Sequence, residues 1–177
     1  MVLMSDPMLG FSEAQWALLK QGPLQILAHV GGADRMIDAA EWTALLDAVG
    51  AAAYVEDELL RGVCGALAED FRSGADLDLG DSKPLEVFEE IQSVLATWGS
   101  DGGAAFRAAL LEIGATIAES SGAMLTITYG IRTQAGGGWM LASGTSAIET
   151  AALEEAARAL GLAVTAGVDE GVATDAP

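Results

Sequence analysis

Three carboxylates stand close together in the stretch Val30-Gly31-Gly32-Ala33-Asp34-Arg35-Met36-Ile37-Asp38-Ala39-Ala40-Glu41. Oxygen-only donors on a bend suit a hard divalent cation such as Ca²⁺ or Mg²⁺. Asp34, Asp38 and Glu41 are therefore candidate metal ligands. Asp38 and Glu41 also have a second reading, because an Asp at a helix N-cap and a Glu three residues later form an acidic capping box. Both charges would suit the positive end of the helix dipole. Asp34 has no capping duty and is the more informative residue. A weaker copy of the pattern starts at Ile117-Ala118-Glu119-Ser120-Ser121-Gly122 and resumes at Ser146-Ala147-Ile148-Glu149, where Ser-x-x-Glu replaces Asp38-x-x-Glu41. If the two bends pack side by side, Glu119 and Glu149 add oxygens to the Asp34 side. Glu149 thus joins the candidate ligands.

Other chemistries find less support. His29 and Cys64 are the sole residues of their kinds and lie far apart, with no nucleophile motif around either. One cysteine gives neither a disulfide framework nor a thiolate metal site. The acidic run Asp76-Leu77-Asp78-Leu79-Gly80-Asp81 fails as an EF-hand, because its Gly falls one place early and Val87 stands where a bidentate carboxylate is required. Gly136-Gly137-Gly138 lacks the Lys-Ser/Thr of a phosphate-binding loop. No base or nucleophile stands apart from the cap residues, so a metal-dependent hydrolase is disfavoured and no catalytic residue is assigned.

The elements that must position these acids read as helices. Ser12-x-x-Gln15 is a capping box at a helix start, with Trp16 and Leu19 on its buried side. Gly22-Pro23 predicts a break, after which a second helix carries Leu24, Ile26, Leu27 and Val30. Ile37 points inward between the acids. Trp42, Leu45, Leu46 and Val49 follow the i, i+3, i+4, i+7 spacing of one buried stripe. Further helices run from about Glu56 to Phe71, from Ser82-x-Pro84 through Trp98, from about Ala104 to Glu119, and from Ser146 to Leu160, with Gly161 as C-terminal cap. The last helix buries Ile148, Ala152, Leu153, Ala156 and Leu160. Between the final two helices, Met124 to Tyr129 alternates apolar residues with Thr, and Trp139-Met140-Leu141 follows. A β-hairpin or a Gly-rich loop, inserted at about 123–144, fits that pattern. Trp139, Tyr129 and Ile131 could form an apolar tip for a partner protein.

Composition bounds the function classes. At 177 residues, 51% of them apolar, the chain is long enough for one domain with a sizeable core. Leu and Ala dominate and aromatics reach only 6%, which favours an all-α fold. The formal charge of −18, with 26 acids against 8 bases, opposes a phosphate backbone, so nucleic acid is a poor partner. Twelve of the acids fall between Tyr54 and Asp101, where an acidic face could solvate the protein or dock a basic partner. No signal-peptide pattern and no long apolar stretch is present, which predicts a soluble, cytoplasmic chain of bacterial style with no membrane association. The expected layout is a single helical domain over 1–162 and an acidic, disordered tail over 163–177.

Taken together, these motifs resemble the tellurite-resistance TerB-like family of small helical bacterial proteins. The likeness spans roughly Phe11 to Leu162 and rests on Ala33-Asp34 with Ile37-Asp38-x-x-Glu41, then Ile117 to Gly122, then Ser146-x-x-Glu149-x-x-Ala152-Leu153 ending in Ala159-Leu160-Gly161-Leu162. It implies an all-α, internally duplicated bundle of about seven helices. It also implies a non-enzymatic role in tellurite or general stress responses, with a divalent cation held where the bends approach, at Asp34, Asp38, Glu41 and Glu149. Arg35 stands where the family commonly has Gly, and its guanidinium could pair with a neighbouring carboxylate and take a cation's place. The alternative is a metal-free protein–protein interaction module that uses the 123–144 insertion or the acidic face.

Overall fold

The computed structural model describes residues 8–34, 37–75, 83–99, 101, 103–120, 130–132, 138–140 and 147–165. The fold is all-α, with six α-helices and one 3-10 turn among the described residues: α1 (Glu13–Val30), the 3-10 turn Gly31–Asp34, α2 (Ala39–Ala52), α3 (Glu58–Ser73), α4 (Pro84–Leu95), α5 (Ala104–Ser120) and α6 (Ala147–Ala159).

Helix α1 is the axis of the bundle. It carries apolar residues around most of its circumference, as a helix enclosed by neighbours must, and it touches all five other helices. Trp16, Leu19, Leu24, Ile26, Leu27 and Val30 are buried. The Ser12 capping box is formed, with Gln15 Oε1 accepting the Ser12 amide at 3.0 Å and Ser12 Oγ accepting the Gln15 amide at 3.3 Å.

The expected break at Gly22-Pro23 is absent. Residues 13–30 are one helix with Pro23 inside it, so two of the expected helices are one. Proline in a helix interior removes an amide donor and costs about 3 kcal/mol. Packing on two sides outweighs that cost here. A Cβ at Gly22 would lie 3.2 Å from Ile91 Cδ1 and 3.2 Å from both terminal methyls of Leu110, so the missing side chain lets α4 and α5 close against α1 at this point.

Helix α2 is rolled relative to the expected stripe. Its buried face is Glu41, Ala44, Leu45, Val49 and Ala52, whereas Trp42 and Leu46 are partly exposed. Ile37, expected to point inward, is exposed as well. Ile37 and Trp42 stand one place before the N-cap and at the fourth helical position, the spacing of a hydrophobic staple. The Trp42 ring meets Phe71 of α3 edge-on at 6.1 Å.

Helix α5 packs against α1, α2, α3 and α6. At Gly114 a Cβ would fall 2.8 Å from Leu153 Cδ2 and 2.9 Å from Ile26 Cγ1, so glycine sets how closely α1, α5 and α6 approach. Helix α6 is held at its C-terminal end by Gly161, at φ +69°, and by Arg107 of α5, whose Nη1 donates to the Leu160 carbonyl at 2.8 Å. Both devices satisfy carbonyls that a helix end leaves without partners.

Three short strands accompany the helices: β1 (Gly130–Arg132), β2 (Gly138–Met140) and β3 (Ala163–Thr165). They pair antiparallel in the order β2-β1-β3, with Ile131 opposite both Trp139 and Val164. Residues 163–165, assigned to the tail by composition, thus pair as a strand. The remainder of the 123–144 stretch and the tail beyond 165 lie outside the described residues.

Candidate functional site

The bend between α1 and α2 is built on Gly31. Immediately after α1 the chain tightens into the 3-10 turn, and a side chain at residue 31 would meet Glu41 Oε1 at 3.1 Å and Leu27 Cδ1 at 3.2 Å. The missing side chain leaves room for the Glu41 carboxylate, which is only 2% exposed.

Asp38 and Glu41 form the reciprocal cap that the spacing predicts. Asp38 Oδ1 accepts the amides of Ala40 at 2.7 Å and Glu41 at 2.9 Å, and Glu41 Oε2 accepts the Asp38 amide at 2.7 Å. The Asp38 side chain is exposed, with its second oxygen outside this cap. Asp34 closes the 3-10 turn, and its side chain lies outside the described residues.

Glu149 occupies the third position of α6, as Glu41 does of α2, and it is likewise buried, at 4% exposure. Helix α6 packs against the 3-10 turn. The first bend and the start of α6 are therefore neighbours, while residues 121–129, 133–137 and 141–146 lie outside the described residues. Glu119, the other carboxylate expected there, is exposed near the end of α5. Among the described residues, no group of three or more His, Cys, Asp and Glu side chains is placed to hold a metal ion.

Beside this bend lies a cleft that the sequence pattern does not announce. One wall is the end of α1 and the 3-10 turn, through Ala28, Gly32 and Ala33; the other is α6, through Ala147, Ile148 and Ala151. Pro84, the first residue of α4, closes one part of it, and the cleft encloses about 630 Å³ while remaining open to solvent. Ile148, expected in the core, is 58% exposed. The α6 residues that reach the core are instead Glu149, Thr150, Ala152, Leu153, Ala156 and Ala157.

His29 and Glu155 also line the cleft. His29 is 15% exposed, with its ring edge-on to Phe88 of α4 at 6.1 Å, and its Nε2 lies 3.5 Å from Glu155 Oε2 without a hydrogen-bond partner. Burial holds its pKa below the ordinary 6.5, against the opposing pull of the Glu155 charge and a backbone hydrogen bond at Ala152. The imidazole is therefore neutral near pH 7, and the pair is not an ion pair there. The signal for this histidine was its place on α1 just before the acidic bend, but the partner that gives it meaning sits on α6, more than a hundred residues away.

No family model, curated protein or solved structure matches the chain.

Proposed function

We propose that this chain is a non-enzymatic binding protein of the TerB-like kind, its 123–144 stretch an inserted hairpin, and that its first acidic bend takes a divalent cation in support of a stress or tellurite response. The observation that carries the reading is the contact between α6 and the 3-10 turn, which brings the first acidic bend against the helix whose third residue, Glu149, is buried as Glu41 is in α2. In this reading Glu41 and one Asp38 oxygen serve the cap. The cation would be held by Asp34 and the outward oxygen of Asp38, with water completing the shell, as hard cations accept.

Calorimetric titration with Ca²⁺, Mg²⁺ and Zn²⁺ tests it, together with melting temperature in each cation. A ligand that binds only the folded state must raise its stability. Heat and a rise in melting temperature with Ca²⁺ or Mg²⁺, lost in Asp34→Asn, support the reading. No heat and no rise at millimolar cation overturns it.

A second reading, an interaction module without metal, is favoured by the open cleft between α1 and α6 and by the exposed Ile148 beside it. Loss of the cation response would leave this reading standing.

A further inference from the structure

The cleft wall on α6 is a single helical face. Ala147, Ile148, Ala151, Ala152 and Glu155 follow the spacing i, i+1, i+4, i+5, i+8, which places them along one side of the helix over about two turns. Ala152 forms the floor, while Ala147, Ile148, Ala151 and Glu155 are exposed. Among the described residues, the facing wall offers Ala28, Gly32 and Ala33 ahead of His29. Walls this short make a trough that larger aliphatic side chains can fill.

Charge narrows the occupant. Glu155 is 53% exposed, and among the described residues the one basic side chain within ion-pair distance is His29. The next cation along the helix, Arg158, is paired with Glu154 at 2.8 Å. An apolar trough therefore ends in a carboxylate that, among the described residues, has no permanent positive charge beside it, on a chain whose formal charge is −18.

We propose that the cleft between α1 and α6 docks a basic amphipathic helix of a partner protein, with aliphatic side chains in the trough beside Ile148 and a Lys or Arg on Glu155. Helix-in-groove recognition reads anchors at i, i+3 or i+4, and i+7, which is the length of wall that α6 presents. A second copy of this chain is disfavoured, because it would bring −18 against −18. Anionic membranes and nucleic acids are opposed by the same charge. A small apolar amine would leave one side in water, whereas small-molecule sites enclose most of their ligand. The proposal deepens the interaction reading and rests on it, and it needs no cation.

Fluorescence anisotropy with a labelled synthetic peptide tests it: an amphipathic helix of about four turns with Leu anchors and Lys flanks, against the same peptide with Glu in place of Lys. All titrations are run in EDTA, so failure of the cation reading does not affect the outcome. Saturable binding of the Lys peptide is expected, with no binding of the Glu peptide. Ala151→Trp, at an exposed position, fills the trough and should abolish binding. Glu155→Gln should weaken it about tenfold, the loss of one charge-assisted contact. Ile148→Lys adds a charge of the wrong sign at a surface position and serves as the second variant should Ala151→Trp alter the circular dichroism spectrum. No binding of the Lys peptide overturns the proposal. So does equal binding to the wild type and the cleft variants, which would mean attraction to the acidic surface as a whole.

Discussion

Asp38 and Glu41 hold each other's backbone amides: Glu41 Oε2 accepts from Asp38 at 2.7 Å, and Asp38 Oδ1 accepts from Glu41 at 2.9 Å. The exchange satisfies donors that the start of α2 would otherwise leave open, and it fixes the angle at which the chain leaves the 3-10 turn. Capping and cation binding make different demands on Asp38. A cap needs one acceptor oxygen, which Asn supplies as well as Asp does. A hard cation needs the charge.

Asp38→Ala should therefore destabilise the protein by about 1 kcal/mol, the usual cost of losing an N-cap, as read from the urea midpoint. Asp38→Asn should retain most of that stability yet lose any rise in melting temperature given by Ca²⁺. If Asp38→Asn keeps the cation response in full, Asp38 is a cap alone.

Gly114 sits where three helices meet, and glycine is a poor helix former, so a rule of propensity expects Gly114→Ala to stabilise by up to about 1 kcal/mol. The packing predicts the opposite sign. The added methyl would press on Leu153 Cδ2 at 2.8 Å and Ile26 Cγ1 at 2.9 Å. Leu153 can swing its far methyl, but Ile26 is stiff at χ1 and fully buried. Overpacking of this kind costs about 1–3 kcal/mol, so chemical denaturation should show a net loss. A gain would mean that α1 and α5 separate easily.

His29 gives stability a pH dependence of known sign. Burial lowers its folded pKa below the ordinary 6.5, so the unfolded chain binds this proton more readily than the folded one. Its contribution is fully present above pH 6.5 and is lost as pH falls toward the folded value. Urea midpoints across that window should fall with acid in the wild type more steeply than in His29→Gln, with the carboxylates common to both. Glu155 pulls the other way, so Glu155→Gln should carry the decline further toward acid. Parallel curves for the wild type and His29→Gln would mean that the imidazole is not desolvated as placed.

Much of the bundle is legible locally. The Ser12 and Asp38 boxes, the Gly161 cap and the Glu154–Arg158 pair at 2.8 Å are short-range features, and each is formed as its spacing foretells. What misleads is tertiary. Pro23 reads as a stop because its cost is local, while the close packing of Ile91 and Leu110 against Gly22 that outweighs it comes from α4 and α5. Trp42, Leu46 and Ile148 fit a helical period as well as their buried neighbours do, and only the roll of α2 and α6 decides which face reaches the core. The cleft is of the same kind. Among the described residues its walls are mostly Ala and Gly, residues that advertise nothing, and the polar groups His29 and Glu155 come from opposite ends of the chain. The acidic bend is half legible: the spacing shows the cap, and the same spacing fits a ligand set.

Cys64 offers a direct measure of how firmly the core is closed. It lies fully buried on α3, as do Val63 and Leu67, with Leu60 nearly so. Burial pushes its pKa from the usual 9.0 up to about 12. At pH 8 the thiolate fraction falls on the order of a thousandfold below that of a free cysteine, and thiolate is the form that reacts. Labelling with a disulfide reagent should then be slow in the native protein by at least that factor, since the reagent must also gain entry. Its rate should rise with urea as local and global opening become frequent. Prompt stoichiometric labelling without denaturant would show that α3 detaches from α1 and α2 under native conditions, and the burial of Leu60, Val63 and Leu67 would be in error along with it.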